Sequence, residues 1–146
     1  MATRSLVRFA RREEGVSFSE HPEKIEVQVY KHYDGYPSGH PTDLAKWLTN
    51  KKIVNGIGRD SWNVANGLGC LAAQYIAAFK QDAGDIYVEN PDTVRVWIDY
   101  ITYIWGDDGK SIWMSIFNTP QHISDLRKGL DWFKQYNAEA YMVLLD

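Results

Sequence analysis

Apolar and polar residues alternate in two segments near the start of the chain, which is the pattern of half-buried β-strands. Val7 and Phe9 lie on one face of a short strand predicted over residues 5–10. Aliphatic side chains also occupy every second position from Ile25 to Val29, with polar residues between them. The two segments are therefore predicted to pair antiparallel, as the first part of a sheet.

Apolar residues at helical spacing follow in three segments. A first helix is predicted to start near Pro41, because proline is tolerated in the first helical turn, and to end by Asn50. A second is predicted from about Asn66 or Gly69 to Lys80, and a third from an N-cap at Thr119. The expected apolar stripes are Leu44, Trp47 and Leu48 in the first helix, Gly69, Ala72, Ile76 and Phe79 in the second, and Ile123, Leu126, Leu130 and Phe133 in the third.

A long β-hairpin is predicted over residues 93–117, around the turn residues Gly106 to Gly109. In the expected register Tyr103 faces Ile112, and both faces of the hairpin are largely apolar. We expect helices to cover one face. Another layer or a second subunit is expected to cover the other face, so a homo-oligomer is predicted.

Short strands are also predicted at 85–89 and at 140–145. Together these elements predict an α+β fold, with about three helices packed on a mostly antiparallel sheet. A chain of this length fits a single domain over residues 1–146.

The composition adds an excess of aromatic residues, at 14% with six Trp and nine Tyr, which need a place in the core or on a binding surface. A net charge of −3 makes general nucleic-acid binding unlikely, since such proteins carry a basic face. One cysteine excludes an internal disulfide and fits a reducing compartment. With neither a signal-like segment nor an apolar run long enough to cross a membrane, a soluble cytoplasmic protein is predicted.

The segment from Lys31 to His40, which joins the second strand to the first helix, concentrates chemically active residues. His32 and Asp34 fall on the strand face opposite the aliphatic one, and His40 lies across the turn. A carboxylate beside an imidazole orients its tautomer and raises its pKa, so this set suits acid–base catalysis or ligand contact. The alternative is architectural, because aspartate, serine and glycine are also turn formers. Regular metal-ligand spacing is missing, and no metal is predicted.

A glycine-rich segment opens the second predicted helix. Gly67, Gly69 and Ala72 match the dinucleotide pattern G-x-G-x-x-A, but a good strand does not precede them, and no cofactor is predicted. Free N–H groups at this helix start would hold a phosphate or carboxylate. Alternatively, the glycines let the helix approach the sheet closely. Cys70 beside them is either a nucleophile activated by the helix N-terminus or a small buried hydrophobic residue.

Two parts of the sequence resemble a group of small, mostly uncharacterised proteins that are common in phage and prophage genomes. Those proteins begin with a Met-x-Thr-Arg segment, here Met1 to Arg4, and carry a His-aromatic-Asp-Gly-Tyr-Pro-x-Gly turn after a strand, here His32 to Gly39. Some also share the block from Asn66 to Gln74. The resemblance covers residues 1–80 and implies a phage accessory gene. Such proteins often bind and block components of host defence, an analogy that specifies no activity.

The leading hypothesis is a non-enzymatic protein of the host cytoplasm that blocks an anti-phage defence component. Its partner is expected to be a host protein or nuclease complex, such as a CRISPR effector, or a nucleotide signal. A nucleotide would stack on Tyr36 or a hairpin tryptophan, with its phosphate at the glycine-rich helix start. The alternative is a small hydrolase or nuclease-like enzyme using His32, Asp34 and His40. The candidate ligand-binding residues are His32, Asp34, Tyr36, His40, Asn66, Gly67 and Gly69.

Overall fold

A computed structural model describes residues 2–11, 24–54, 63–93, 95, 97–106, 112–119, 131–136 and 142–145. These residues form an α+β fold of two helices and nine strands. The helices are α1 (His40–Leu48) and α2 (Gly67–Phe79). The strands are β1 (Ser5–Arg11), β2 (Ile25–Lys31), β3 (Lys52–Val54), β4 (Val64–Asn66), β5 (Ile86–Glu89), β6 (Tyr100–Gly106), β7 (Ile112–Asn118), β8 (Asp131–Tyr136) and β9 (Met142–Leu145).

The main sheet has seven strands in the order β5-β2-β1-β6-β7-β8-β9. Five of its neighbouring pairs run antiparallel, and only β1 and β6 run parallel. The predicted pairing of the first two strands is confirmed, with Val7 opposite Val29. A separate parallel pair joins β3 and β4. The prediction of a mostly antiparallel sheet is therefore confirmed.

Both helices pack on one face of this sheet, where the main core lies. Val7, Phe9 and Val29 from the first two strands contribute to it, as their alternation predicts. Leu44 and Leu48 of α1 are also fully buried there. A second cluster on the other face contains Tyr103, Trp105, Trp113 and Phe117. The expectation that both hairpin faces are apolar is therefore confirmed.

The second helix turns toward the core a face that shares Ala72 with the predicted stripe, and Ile76 and Phe79 pack half-buried against the core beside it. Its buried residues are Leu68, Leu71, Ala72 and Tyr75, whereas Gly69 is exposed. The observed orientation places three large side chains on the sheet, and each buried leucine contributes about 1.5–3 kcal/mol. Small residues such as Gly69 gain little from burial, so their spacing was a poor guide to the packed face.

The predicted register of the long hairpin is wrong by three residues. Tyr103 pairs with Ser115 instead of Ile112, because Gly106 continues β6 and does not open the turn. Its missing side chain leaves room for core atoms, since a Cβ there would lie 2.7 Å from the Cδ1 atom of Ile53. An odd shift moves one strand's side chains to the opposite face. The first strand of the hairpin, β6, is also shorter than predicted, because it begins at Tyr100 and not near residue 93.

The third predicted helix lies largely outside the described residues, which omit 120–130. Phe133, the last member of its expected stripe, lies in strand β8. The final predicted strand at 140–145 is found as β9. Within the described ranges, neither helix has the length and hydropathy needed to cross a membrane.

Candidate functional site

The turn between β2 and α1 is held by its own backbone. The N–H of His40 donates to the carbonyl of Asp34 at 2.7 Å, and the N–H of Gly39 donates to the carbonyl of Tyr36 at 2.8 Å. Asp34 has a φ of 60°, a left-handed conformation that aspartate tolerates better than most residues. The turn-forming interpretation of these residues therefore accounts for the backbone.

Gly35 joins this turn to the start of the chain. Its N–H donates to the carbonyl of Thr3 at 2.9 Å, and a Cβ atom at this position would lie 2.6 Å from the Cβ of Ser5. Only a residue without a side chain allows two segments to approach so closely. The Met-x-Thr-Arg start and the turn, the two motifs of the phage resemblance, are thus in direct contact.

His40 lies inside the protein, between the turn and α2, and is only 5% exposed. Its Nε2 atom is 2.6 Å from the hydroxyl of Tyr75, and its ring packs edge-on against Phe79. Burial and, next, the positive charge of Lys31 lower the pKa of His40 to about 4, so the ring is neutral at neutral pH. Burial also raises the pKa of Tyr75. The two side chains form a neutral, buried hydrogen bond.

Lys31 and Asp85 form an ion pair that ties the end of β2 to the start of β5. The Nζ of Lys31 lies 2.5 Å from Oδ2 of Asp85, whose other oxygen accepts the N–H of Tyr33 at 3.0 Å. The carbonyl of Asp85 accepts the N–H of His32 at 2.9 Å. Burial raises the pKa of Asp85, but the hydrogen bonds from Lys31 and Tyr33 outweigh it and hold that pKa below its usual value. Asp85 therefore holds the backbone of His32 and Tyr33 in place through these two hydrogen bonds.

Replacing Asp85 with asparagine is expected to lower the free energy of unfolding by about 2 kcal/mol. Asparagine keeps the shape and tolerates the φ of 72° found here, but it leaves the ammonium of Lys31 without a countercharge. The side chain of Lys31 is only 8% exposed, so water cannot replace the lost partner. Urea unfolding of Asp85→Asn, Lys31→Met and the double variant measures the coupling. Purely additive losses would contradict a stabilising pair.

An open cleft of about 430 Å³ lies on the sheet face opposite the helices, at the end of β2 and the start of β5. Its volume falls within the range of small-molecule sites, about 300–1,000 Å³. Strand parity brings side chains of the two neighbouring strands into it, since Tyr30 pairs directly with Tyr87. The side chains that line it are Tyr30, His32, Tyr33, Asp85, Tyr87 and Arg95.

His32 is a half-buried member of this cleft. Its Nδ1 atom lies 2.7 Å from the hydroxyl of Tyr30, and its ring meets that of Tyr33 edge-on at 4.5 Å between centroids. This contact engages Nδ1 of His32, and which of the two groups donates depends on the tautomer of the ring. Nε2, the other ring nitrogen, is therefore the one that a bound ligand would meet.

Arg95 provides the positive charge of the cleft. Its guanidinium carbon lies 4.0 Å from the ring centroid of Tyr30, a cation–π geometry, and its Nε and Nη2 atoms bind the carboxylate of Glu89. Tyr33 and Tyr87 remain 52% and 47% exposed. The cleft thus combines two accessible phenol rings with a guanidinium and an imidazole.

The predicted acid–base residues do not converge. His40 packs on the helix side of the sheet, whereas His32 bonds to Tyr30 on the opposite face. Asp34 is exposed, and among the described residues its carboxylate accepts one long hydrogen bond, of 3.5 Å, from the hydroxyl of Tyr36. Among the described residues, no three His, Cys, Asp or Glu side chains lie close enough to hold a metal.

The predicted phosphate-binding residues at the start of α2 lie apart from the turn between β2 and α1. His40, at the end of that turn, contacts Tyr75 of α2. Tyr75 follows Asn66 by nine residues, or about 13 Å along the helix. A Cβ atom at Gly67 or Gly69 would meet no atom of the described residues within 4 Å, so the alternative that these glycines allow close packing on the sheet is wrong. Cys70 is a free, half-buried thiol packed against the core.

Two tryptophans of the predicted hairpin, where a base was expected to stack, are buried, whereas the third, Trp97, is 64% exposed. Trp105 and Trp113 are 4% and 8% exposed, and the indole N–H of Trp105 donates to the hydroxyl of Ser115 at 2.8 Å. These two indoles are buried within a single chain, and the homo-oligomer stays a prediction. Exposed aromatic rings occur at Tyr33 and Tyr87 in the cleft, and at Tyr36 and Trp97 outside it.

Sequence reasoning missed Asp85, Tyr87 and Arg95, which follow the turn by about fifty residues. Only the pairing of β5 with β2 brings them to His32. A signal was nevertheless present, since Gly84-Asp85 is a turn dipeptide at the start of a predicted strand. Comparisons with protein-family models, curated proteins and solved structures find no significant match to this chain.

Proposed function

We propose that this protein is a non-enzymatic binding protein of the phage accessory type, which captures a host component and blocks its action. The observation that carries the proposal is the open cleft at the end of β2, with exposed Tyr33 and Tyr87 beside Arg95. Tyrosine and arginine are the residues that contribute most at binding surfaces. His32 and Tyr33 of the phage-like turn line this cleft, so the resemblance and the cleft involve the same part of the molecule.

The enzymatic alternative finds less support in the geometry. General acid–base catalysis requires the acid and the base to reach one substrate together. His40 is already bonded to Tyr75 inside the protein, and His32 lies across the sheet from it. Alanine at His32 and Asp34 would abolish turnover if the enzyme hypothesis held, whereas a binding protein has no turnover to lose.

The test is native mass spectrometry of the protein purified from bacterial cells that express it and have been challenged with phage. We expect a retained small molecule or a co-purified host protein, either a defence protein or part of a nuclease complex. A matched variant, Tyr33→Ala with Tyr87→Ala, should lose the retained species, while Trp97→Ala, at an exposed ring outside the cleft, should keep it. A bare wild-type chain would contradict the proposal.

A further inference from the structure

We infer that the cleft at the end of β2 and the start of β5 binds a single nucleotide. Its base would lie against Tyr33 and Tyr87, and its phosphate would bind Arg95 and His32. This inference rests on the proposed binding function and specifies its ligand class. It replaces the earlier expectation of a phosphate at the start of α2.

The aromatic half of the site consists of rings that already lie close together. Tyr87 is 6.0 Å from Tyr30 between ring centroids, and Tyr33 stands edge-on to His32. Both Tyr33 and Tyr87 leave about half of their surface open to solvent. Stacking of a base on such a ring contributes about 1–3 kcal/mol and works for any base, because every base has a π-face.

The anionic half depends on Arg95. Glu89 occupies its Nε and Nη2 atoms, and within the described part of the chain Nη1 has no acceptor. Guanidinium groups form charge-assisted hydrogen bonds to phosphate that are about twice as strong as neutral ones. The nearby carboxylate of Asp85 does not oppose an anion strongly, because the ammonium of Lys31 balances its charge and the N–H of Tyr33 donates to its other oxygen.

Size and charge favour a small molecule over a nucleic-acid strand. The cleft of about 430 Å³ holds one nucleotide, and Arg95 is the one cationic side chain among the described residues that line it. Binding to a strand depends on many phosphate contacts from a basic surface. The net charge of the chain is −3, which does not provide that surface.

Isothermal titration with AMP, GMP, CMP and UMP tests the inference, with the matching nucleosides, inorganic phosphate and a single-stranded oligonucleotide as comparisons. We expect at least one nucleotide to bind more tightly than its nucleoside and than phosphate alone. Arg95→Met should weaken that binding about tenfold or more, and Tyr87→Ala about fivefold or more. Arg11→Met and Trp97→Ala, at an exposed ion-paired arginine and an exposed ring outside the cleft, should leave the affinity unchanged.

A gain-of-affinity variant separates this role from a merely structural one. Glu89→Gln removes the charge that competes for Arg95 but keeps an oxygen for its hydrogen bond, so nucleotide affinity should rise severalfold. Damage to the fold would lower affinity instead.

Three results would overturn the inference: no binding by any nucleotide, equal affinity for nucleoside and nucleotide, or tighter binding of the oligonucleotide. A host protein captured through the cleft in the absence of nucleotide binding would end this inference and leave the proposed function standing. A bare wild-type chain in the native mass spectrum, together with no nucleotide binding, would end both.

Discussion

Gly35→Ala is expected to lower the free energy of unfolding by about 3 kcal/mol, the upper end of the range for overpacking. The added methyl group would lie 2.6 Å from the Cβ of Ser5 and 2.9 Å from the carbonyl oxygen of Thr3. One of these atoms belongs to the backbone, so no side-chain rotation relieves the clash. The turn would have to move away from β1 and give up the 2.9 Å hydrogen bond from Gly35 to Thr3.

The same substitution at Gly69 provides the control, with the opposite sign. Gly69 lies in α2, is exposed, and has open space where a Cβ would be. Alanine there should stabilise the protein by about 0.5–1 kcal/mol, because it favours the helix and reduces the entropy of the unfolded chain. Urea unfolding measures both variants. Equal stability of the wild type and Gly35→Ala would show that the turn does not depend on this close approach.

The local pattern of the sequence predicted the strands near the site well. Alternation assigned Val27, Val29 and Tyr30 to the correct faces of β2, and His32 lies with Tyr30 opposite the helices. Ile25 was assigned wrongly, because the register of β1 and β2 shifts between Phe9 and Ala10 and Ile25 packs with the cluster on the other face. Alternation is informative because the two faces of a strand differ by one residue, and a buried face demands apolar side chains at every second position. The start of α1 at a proline was equally local and equally predictable.

The pattern of apolar and polar residues could not predict which residues of different helices and strands contact each other. The hairpin register failed at Gly106, where the glycine accommodates Ile53 and Leu68 from other elements and forms no turn. The cleft also depends on residues that are distant in sequence, because the pairing of β5 with β2 brings Tyr87 to Tyr30 across fifty-seven residues of chain. Periodicity describes one element at a time, so it predicted half of the cleft and missed the half that Asp85 and Arg95 provide.

His40 shows the same limit, because its neighbours decide its chemistry. From the sequence it was a candidate ligand-binding residue across the turn from His32. In the fold its ring is enclosed by Tyr75 and Phe79 of α2, with Lys31 of β2 and Asp85 as the nearest charged groups that affect its pKa. A buried, neutral histidine is sensitive to acid, and this property can be measured.

Stability is expected to fall by about 3 kcal/mol between pH 6.5 and about 4 because of His40. The pKa of this imidazole is 6.5 in the unfolded chain and about 4 in the folded protein. Between these two pKa values the unfolded chain binds a proton that the folded protein does not bind, so acid favours unfolding. The contribution is complete above pH 6.5 and is lost as the pH falls to about 4. Asp85 has its pKa held below 3.8, so its own contribution disappears only in stronger acid.

Urea unfolding at a series of pH values from neutral to about 4 measures this loss. His40→Gln replaces the imidazole with a side chain that cannot titrate but can still hydrogen-bond to Tyr75. Its stability at neutral pH should be lower than that of the wild type, yet it should change much less with pH across this interval. Trp97→Ala, which changes an exposed ring that does not titrate, should retain the wild-type pH dependence. If His40→Gln instead lost stability in acid as steeply as the wild type, the buried imidazole would not be the acid-sensitive group, and the neutral hydrogen bond to Tyr75 would not govern it.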